Sequence, residues 1–131
     1  MTNVTFLPFQ PTETLKFSLS AADIHIVSLK KGFSGYLVPS KIYNILATGC
    51  ALIAAGDAEC EMVDMVQKYE CGFTCRPGDI EAIVSFIEKC YNNRSFLKRI
   101  SENARNTALH YDFEKPLDTA HKLFLELTQQ G

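Results

Sequence analysis

Residues 24–41 read IHIVSLKKGFSGYLVPSK, and this stretch decides the fold that the sequence predicts. The first six residues are nearly all apolar, which is typical of a strand covered on both faces of a parallel sheet. A glycine-containing loop follows at residues 30–38, and a helix begins near Ser40 with Ile42 and Ile45 on its apolar face. This order of strand, loop and helix predicts one unit of a parallel α/β domain.

The same alternation of short apolar runs and helical patterns continues on both sides of this unit. Further strands are predicted at residues 4–9, 51–56 and 72–76. Helices are predicted at residues 59–69, 94–110 and 116–128. A short helix is also predicted after Thr12, which could serve as its N-cap. Another is predicted after the N-cap Asp79, with an apolar stripe that comprises Ile80, Ile83, Val84, Ile87 and Tyr91. The order predicts an α/β fold, a Rossmann-like parallel sheet of about four strands flanked by helices.

Length and composition narrow the class of protein. A chain of 131 residues is long enough for one domain with a core but not for two. The net charge of −2 argues against a general nucleic-acid binder. No stretch approaches the roughly 20 apolar residues of a transmembrane segment, and residues 1–10 lack the basic-then-apolar order of a secretory signal. We therefore expect a cytoplasmic protein.

The cysteines indicate structural thiols and no metal site. There are five of them, and an odd number without a secretion signal is typical of reduced thiols. Cys71 and Cys75 are four residues apart, and the three histidines lie elsewhere in the sequence. Because this is a poor zinc signature, buried structural thiols are the favoured interpretation.

The loop and helix start within residues 30–41 carry the residues best suited to bind a phosphate. Gly32 and Gly35 allow the backbone to approach a ligand closely. The start of the helix offers unpaired N–H groups and the positive end of a dipole, to which Ser40 can add a hydroxyl and Lys41 a positive charge. The alternative is that Ser40 only caps the helix, Lys41 is solvated and the glycines form a turn. The spacing matches neither the Walker nor the G-x-G-x-x-G pattern, so both interpretations stay open.

Several segments, in order along nearly the whole chain, resemble group 1 glycosyltransferases, which have the two-domain GT-B architecture. The segments are VTFLPFQP, SAADIHIVSL, GFSGYLVPSKIYNILATG, ALIAAG, GFTCRPGDIEA and SENAR. The resemblance is greatest to bacterial sugar-polymer enzymes that carry a V-P-S-K-x-Y segment. It implies that residues 1–131 form a single, partial nucleotide-sugar-binding domain from the C-terminal half of such an enzyme, without the acceptor domain.

The resemblance also implies a role for particular residues. The positions expected to contact the donor diphosphate are Gly35, Tyr36, Ser40 and Lys41, those of the donor-sugar loop are Gly32, Phe33 and Ser34, and those of the base pocket are Pro8, Phe9 and Gln10. Asn44 occupies the position where many relatives have a glutamate that holds the ribose, and no carboxylate lies between Lys30 and Ile53. Asp57 and Glu61 could contact donor hydroxyls, while His25 is expected to be a hydrogen-bonded core residue. The catalytic residues stay unassigned.

The function implied is that of the donor-binding portion of a glycosyltransferase, which moves a sugar from a nucleoside diphosphate to an acceptor hydroxyl in polysaccharide or glycoconjugate synthesis. The anomeric configuration is expected to be retained, without cofactor or metal. The expected location is cytoplasmic, at the inner face of the membrane through the full-length enzyme. Two alternatives are a non-catalytic α/β phosphate-binding or interaction module and, less favoured, a receiver-like signalling domain.

Relatives of this kind have two further strand-helix units before residue 4. Without those units, we expect residues 4–9 to pair directly with residues 24–29, or another chain or the N-terminal acceptor domain to complete the sheet. We also expect exposed apolar surface where the absent units would pack.

Overall fold

The computed structural model describes residues 3–30 and 40–111. A 3₁₀ turn at Thr12–Thr14 precedes five helices and three strands within these residues. In chain order they are α1 (Leu15–Ser20), β1 (Ile24–Ser28), α2 (Lys41–Thr48), β2 (Ala51–Ala55), α3 (Glu61–Tyr69), β3 (Gly72–Cys75), α4 (Ile80–Asn92) and α5 (Arg94–His110). The helix predicted at residues 116–128 lies outside the described residues.

The three strands form one parallel sheet in the order β1-β2-β3. Ile24 pairs with Ala51 across the first interface, and Leu52 pairs with Gly72 across the second. Every residue of β2 is buried, as expected of a central strand with helices on both faces. The predicted α/β fold with a parallel sheet is therefore confirmed.

The strand predicted at residues 4–9 is wrong for the described structure, so the sheet has three strands there and not four. The segment has no regular secondary structure, and Phe6 and Phe9 are almost fully exposed. The predicted pairing of this segment with β1 does not form. Pro8 and Pro11 give a physical reason, because neither has an N–H group to donate across a sheet.

The hydrophobic core has two parts, one on each face of the sheet. On one face, α2 and α3 cover β2 with Leu46, Met62 and Val66. On the other face, α4 covers it with Phe86 and Cys90. Helix α5 contributes to both parts, because Leu97 and Ile100 belong to the second cluster and Ala104 to the first. This long helix therefore ties the two layers together.

Two glycines and one aspartate fix the boundaries of these elements. Gly49 ends α2 with φ of 74°, which a residue just beyond a helix readily adopts when it has no Cβ. Asp79 accepts a hydrogen bond from the Ala82 amide at 3.1 Å and so caps α4 as predicted. At Gly72, a Cβ would overlap the carbonyl oxygen of Leu52, so β3 can pass this close to β2 only with glycine there.

Only part of the apolar stripe predicted for α4 packs on the sheet. Phe86 and Cys90 are buried and Ile83 is half-buried, whereas Ile80 is 70 % exposed and Tyr91 is 75 % exposed. The sequence has apolar residues around more than one face of this helix, and the sheet covers one of them. The first helix also differs from the prediction, because α1 begins at Leu15 and Thr12 lies in the preceding 3₁₀ turn.

Candidate functional site

The helix starts and strand ends meet at one edge of the sheet, where ligands bind in folds of this type. Because the strands are parallel, the chain leaves β1 and β2 at the same edge, and α2 and α3 begin there. The amide of Leu29 donates to the Ala55 carbonyl at 2.9 Å and that of Gly56 to the Cys75 carbonyl at 3.0 Å. These bonds hold the strand ends side by side at the edge where α2 begins.

An open cleft of about 480 Å³ lies between α1, β1 and α2, and we call it the α2 cleft. It is lined by Phe9, Gln10, Thr12, Leu15, Ser18, Leu19, His25, Ile26, Val27, Lys41, Asn44 and Ile45. Four of these residues, from two separate stretches of sequence, are among the predicted site residues: Phe9, Gln10, Lys41 and Asn44. The volume is in the range of pockets that hold small molecules and cofactors.

Among the described residues, the lining of the α2 cleft combines one positive charge with a largely apolar wall. Lys41 is exposed and has no ion-pair partner among the residues that the structure describes. Asn44 follows three residues later on the same side of α2 and is also exposed. Phe9 is 94 % exposed, so its ring is available for stacking. The arrangement suits a ligand with an anionic group and a flat apolar body.

The wall formed by α1 is fixed to the sheet by hydrogen bonds to the end of that helix. His25 Nε2 lies 2.8 Å from the Leu19 carbonyl oxygen, so this nitrogen carries the hydrogen. The Cys50 thiol donates to the Ala22 carbonyl at 3.1 Å. His25 is half-buried and hydrogen-bonded, as the sequence predicts, and its role here is to hold α1 in place.

The remaining predicted site residues fall into three groups. Ser40 is exposed and occupies the N-cap position of α2, as one interpretation of the sequence has it, but its side chain makes no capping hydrogen bond to the helix. Pro8 does not line the α2 cleft, although its carbonyl accepts a hydrogen bond from Gln10 Nε2 at 2.9 Å. Gly32, Phe33, Ser34, Gly35 and Tyr36 lie outside the described residues.

Three tyrosines that the sequence did not single out form a cluster beside the start of α2, namely Tyr43, Tyr69 and Tyr111. The Tyr43 ring lies 5.5 Å from that of Tyr111, whose ring is in turn 6.0 Å from that of Tyr69. Burial and the negative charge of Glu61 raise the pKa of Tyr43. Burial first, and then the hydrogen bond with Tyr69, raise the pKa of Tyr111 to about 12. The cluster joins the end of α5 to α2. It can be recognised only in the folded structure, because its members are far apart in sequence.

The cysteines are free thiols, and four of the five are buried. Cys71 is fully buried, as the sequence predicts, and burial raises the pKa of its thiol. Cys75 is half-buried, and burial followed by the charge of Asp79 raises its pKa. Within residues 3–30 and 40–111, no three histidine, cysteine or acidic side chains lie close enough together to hold a metal ion. No helix in the described part of the chain has the length and apolar character needed to span a membrane.

Comparison with known proteins gives one family. Residues 1–107 match the family model described as glycosyl transferases group 1. The Escherichia coli K12 protein that carries the name colanic acid biosynthesis glycosyl transferase WcaI is 31 % identical over 66 % of this chain and 22 % of its own length. The Pseudomonas aeruginosa protein that carries the name glycosyltransferase WbjE is 29 % identical over 60 % of this chain and 20 % of its own length.

The chain spans about a fifth of the length of these relatives. No solved structure is significantly similar to it. The family model covers most of the chain, including β1, α2 and every residue described above as lining the α2 cleft. The chain therefore belongs to the group 1 glycosyl transferases.

Proposed function

We propose that this chain is the donor-binding portion of a glycosyltransferase and holds a nucleoside-diphosphate sugar in the α2 cleft. The observation that carries the proposal is that Phe9, Gln10, Lys41 and Asn44 line one cleft beside the start of α2. They come from separate stretches of sequence and combine a stacking surface, an amide pair and a positive charge. A nucleotide needs those groups in that order, from base to ribose to phosphate.

In this proposal the diphosphate lies against the start of α2. The unpaired amides of the first turn and the helix dipole favour an anion, Lys41 adds a full positive charge, and the Ser40 hydroxyl is not used as a helix cap. Gly35 and Tyr36, from the loop before this helix, complete the phosphate contacts. Negative charge grows on the leaving diphosphate during transfer, so the same groups stabilise the transition state more than the bound donor.

The other contacts follow the length of the ligand. Asn44 faces the ribose, and Phe9, Gln10 and Pro8 form the base pocket. Gly32, Phe33 and Ser34 form the loop beside the donor sugar. The sugar then passes to an acceptor hydroxyl with retention of configuration. We propose no metal or cofactor for this step, and we assign no catalytic residue.

Residues 1–131 act here as one partial nucleotide-sugar-binding domain. We propose that an N-terminal acceptor domain or another chain completes the sheet. In the described structure β1 has a strand neighbour on one side only, and Ile26 of that strand is 53 % exposed. The names of the relatives suggest polysaccharide or glycoconjugate synthesis, which we place in the cytoplasm at the inner face of the membrane. We expect the chain alone to bind nucleotide weakly and not to turn over.

A second candidate function is a non-catalytic interaction module. It is supported by exposed large apolar residues on two parts of the surface, Phe6 and Phe9 near the start and Ile80 and Tyr91 on α4. A module of this kind would bind a partner protein and have no need of a nucleotide.

Titration of the 131-residue chain with UDP, followed by protein NMR, separates the two functions. We expect saturable binding that Lys41→Ala weakens at least about tenfold, because hydrogen-bonded charge pairs contribute about 1.5–3 kcal/mol. Lys98→Ala is the matched control, since Lys98 is also an exposed lysine but lies on α5 outside the cleft. Equal binding by the Lys41 and Lys98 variants would contradict the phosphate contact. No binding by the unaltered chain would favour the interaction module.

A further inference from the structure

The free edge of the sheet at β3 is a surface separate from the α2 cleft. β3 pairs with β2, and no described strand lies on its other side. The Cys71 and Cys75 carbonyls accept hydrogen bonds from the next-strand amides of Leu52 and Gly56, at 3.2 Å and 3.0 Å. Because the backbone groups of a strand point alternately to its two sides, those of Gly72 and Thr74 point away from β2. In the described structure these groups therefore have no strand partner.

This edge forms the floor of an open groove of about 260 Å³ between α3 and α5. Gln67 and Glu70 border the groove on the α3 side, and Phe96 and Arg99 border it on the α5 side. The Glu70 carbonyl accepts a hydrogen bond from the Asn103 side chain at 3.1 Å, which fixes the chain just before β3. An extended segment of another chain can reach the edge here and pair with it, as in β-strand addition.

The charges at the two ends of β3 are self-complementary. Glu70 lies two residues before the strand and Arg76 follows it directly, and residues 71–75 between them are uncharged. Both residues are exposed, and neither belongs to an ion pair among the residues that the structure describes. An antiparallel copy of this segment brings Arg76 to Glu70 at both ends, whereas a parallel copy would bring like charges together.

The backbone selects one register for such an antiparallel pair. Hydrogen bonds form between residues that point to the shared edge, so Gly72 of each copy lies opposite Thr74 of the other. In that register the pair is centred on Phe73, and Glu70 of each copy lies opposite Arg76 of the other. Antiparallel pairing of two identical strands has twofold symmetry, so the assembly closes at two chains.

We propose that two copies of this chain associate through the free edges of β3 and so join their two sheets into one. The contact comprises main-chain hydrogen bonds between Gly72 and Thr74 and two ion pairs between Glu70 and Arg76. The ion pairs are at the surface, where each contributes little affinity, and their main effect is to fix direction and register. The inference does not depend on the proposed donor site, because the described residues that line the two surfaces are different.

Sedimentation velocity of the 131-residue chain from micromolar to millimolar concentration tests the association. We expect a shift from monomer to dimer as the concentration rises. Hydrogen exchange at the Gly72 and Thr74 amides should slow as the dimer forms, because both become hydrogen-bonded. A chain that stays monomeric at millimolar concentration would overturn the inference.

Charge variants test the register. Arg76→Glu and Glu70→Arg each bring like charges together at both ends of β3, and each should weaken the dimer at least about fivefold. An equimolar mixture of the two variants has both attractions in the mixed dimer and should associate as well as the unaltered chain. Lys98→Glu is the matched control, because it makes the same charge change as Arg76→Glu at an exposed residue outside the groove.

The variants also separate this contact from association through another surface. Dimers that form equally well in all variants would place the contact elsewhere, at the free edge of β1 for example, and would overturn the inference. So would a mixture that associates no better than either variant alone. Arg76→Gln and Glu70→Gln remove the attraction without adding repulsion and should weaken the dimer by only about twofold, which guards against a loss caused by misfolding of the charge-reversed chains.

Discussion

Among alanine substitutions of the described glycines, Gly72→Ala should destabilise this protein the most. The Cβ of an alanine would overlap the Leu52 carbonyl oxygen and would lie 2.7 Å from its carbonyl carbon. Both are backbone atoms of the central strand, so no side chain can rotate away. The start of β3 must therefore move off β2, which breaks the 3.2 Å hydrogen bond from the Leu52 amide to the Cys71 carbonyl.

The magnitude follows from these two effects. Overpacking of a well-packed region costs about 1–3 kcal/mol, and a buried backbone group without its partner costs about 1–3 kcal/mol. We therefore expect Gly72→Ala to lower the free energy of unfolding by about 2–5 kcal/mol, a large part of the 5–15 kcal/mol typical of domains. Equilibrium unfolding in urea, followed by circular dichroism, measures it.

Gly78→Ala is the control for this experiment. Gly78 has φ of 90°, but a Cβ there meets no atom within 4 Å. It reports the backbone strain of a left-handed residue without overlap, about 1–2 kcal/mol. If Gly72→Ala proves no more destabilising than Gly78→Ala, the close approach of β3 to β2 is wrong.

Three further predictions concern α4 and the tyrosine cluster. Phe86→Ala should lower the free energy of unfolding by about 3–5 kcal/mol, because the ring is 6 % exposed and its centroid lies 5.0 Å from that of Phe73. Ile80→Ala should lower it by under about 1 kcal/mol, because Ile80 is exposed. Equal losses in urea unfolding would mean that the buried face of α4 is wrongly assigned. Asp79→Ala should cost about 1 kcal/mol through loss of the cap bond to Ala82, and an unchanged urea midpoint would argue against that bond. Because the pKa of Tyr111 is raised in the folded state, unfolded chains lose this proton first as pH rises, so stability should fall between about pH 10 and pH 12. The fall should be shallower in Tyr111→Phe, and identical pH profiles of the urea midpoint would refute this assignment.

The fold class could be predicted because the pattern of apolar residues matches the burial of the central elements β2 and α3. The run at residues 51–56 is apolar throughout, and β2 is buried throughout. Met62 and Val66 have the spacing of one helix face, and both are in the core. Residues 4–9 are also mainly apolar but form no strand, although β1 has a free edge, because Pro8 and Pro11 have no N–H group to donate across a sheet. The pattern is also ambiguous for α4, where apolar residues cover two faces of one helix.

The candidate site could be predicted in part. Lys41 and Asn44 lie on one helix, so their common face follows from their spacing alone. That Phe9 and Gln10 lie across the same cleft depends on the path of the chain before α1, which has no regular periodicity. The Tyr43–Tyr111 contact joins residues far apart in sequence, and no local pattern could have indicated it.

The proposed donor site requires that the start of α2 and the residues across the α2 cleft contact one nucleoside diphosphate. Amide chemical-shift mapping of the labelled 131-residue chain with UDP tests this directly. We expect the largest shifts at Ser40 to Asn44 together with Phe9 and Gln10, and small shifts on α4. Shifts concentrated on another face, or limited to residues outside the α2 cleft, would contradict it.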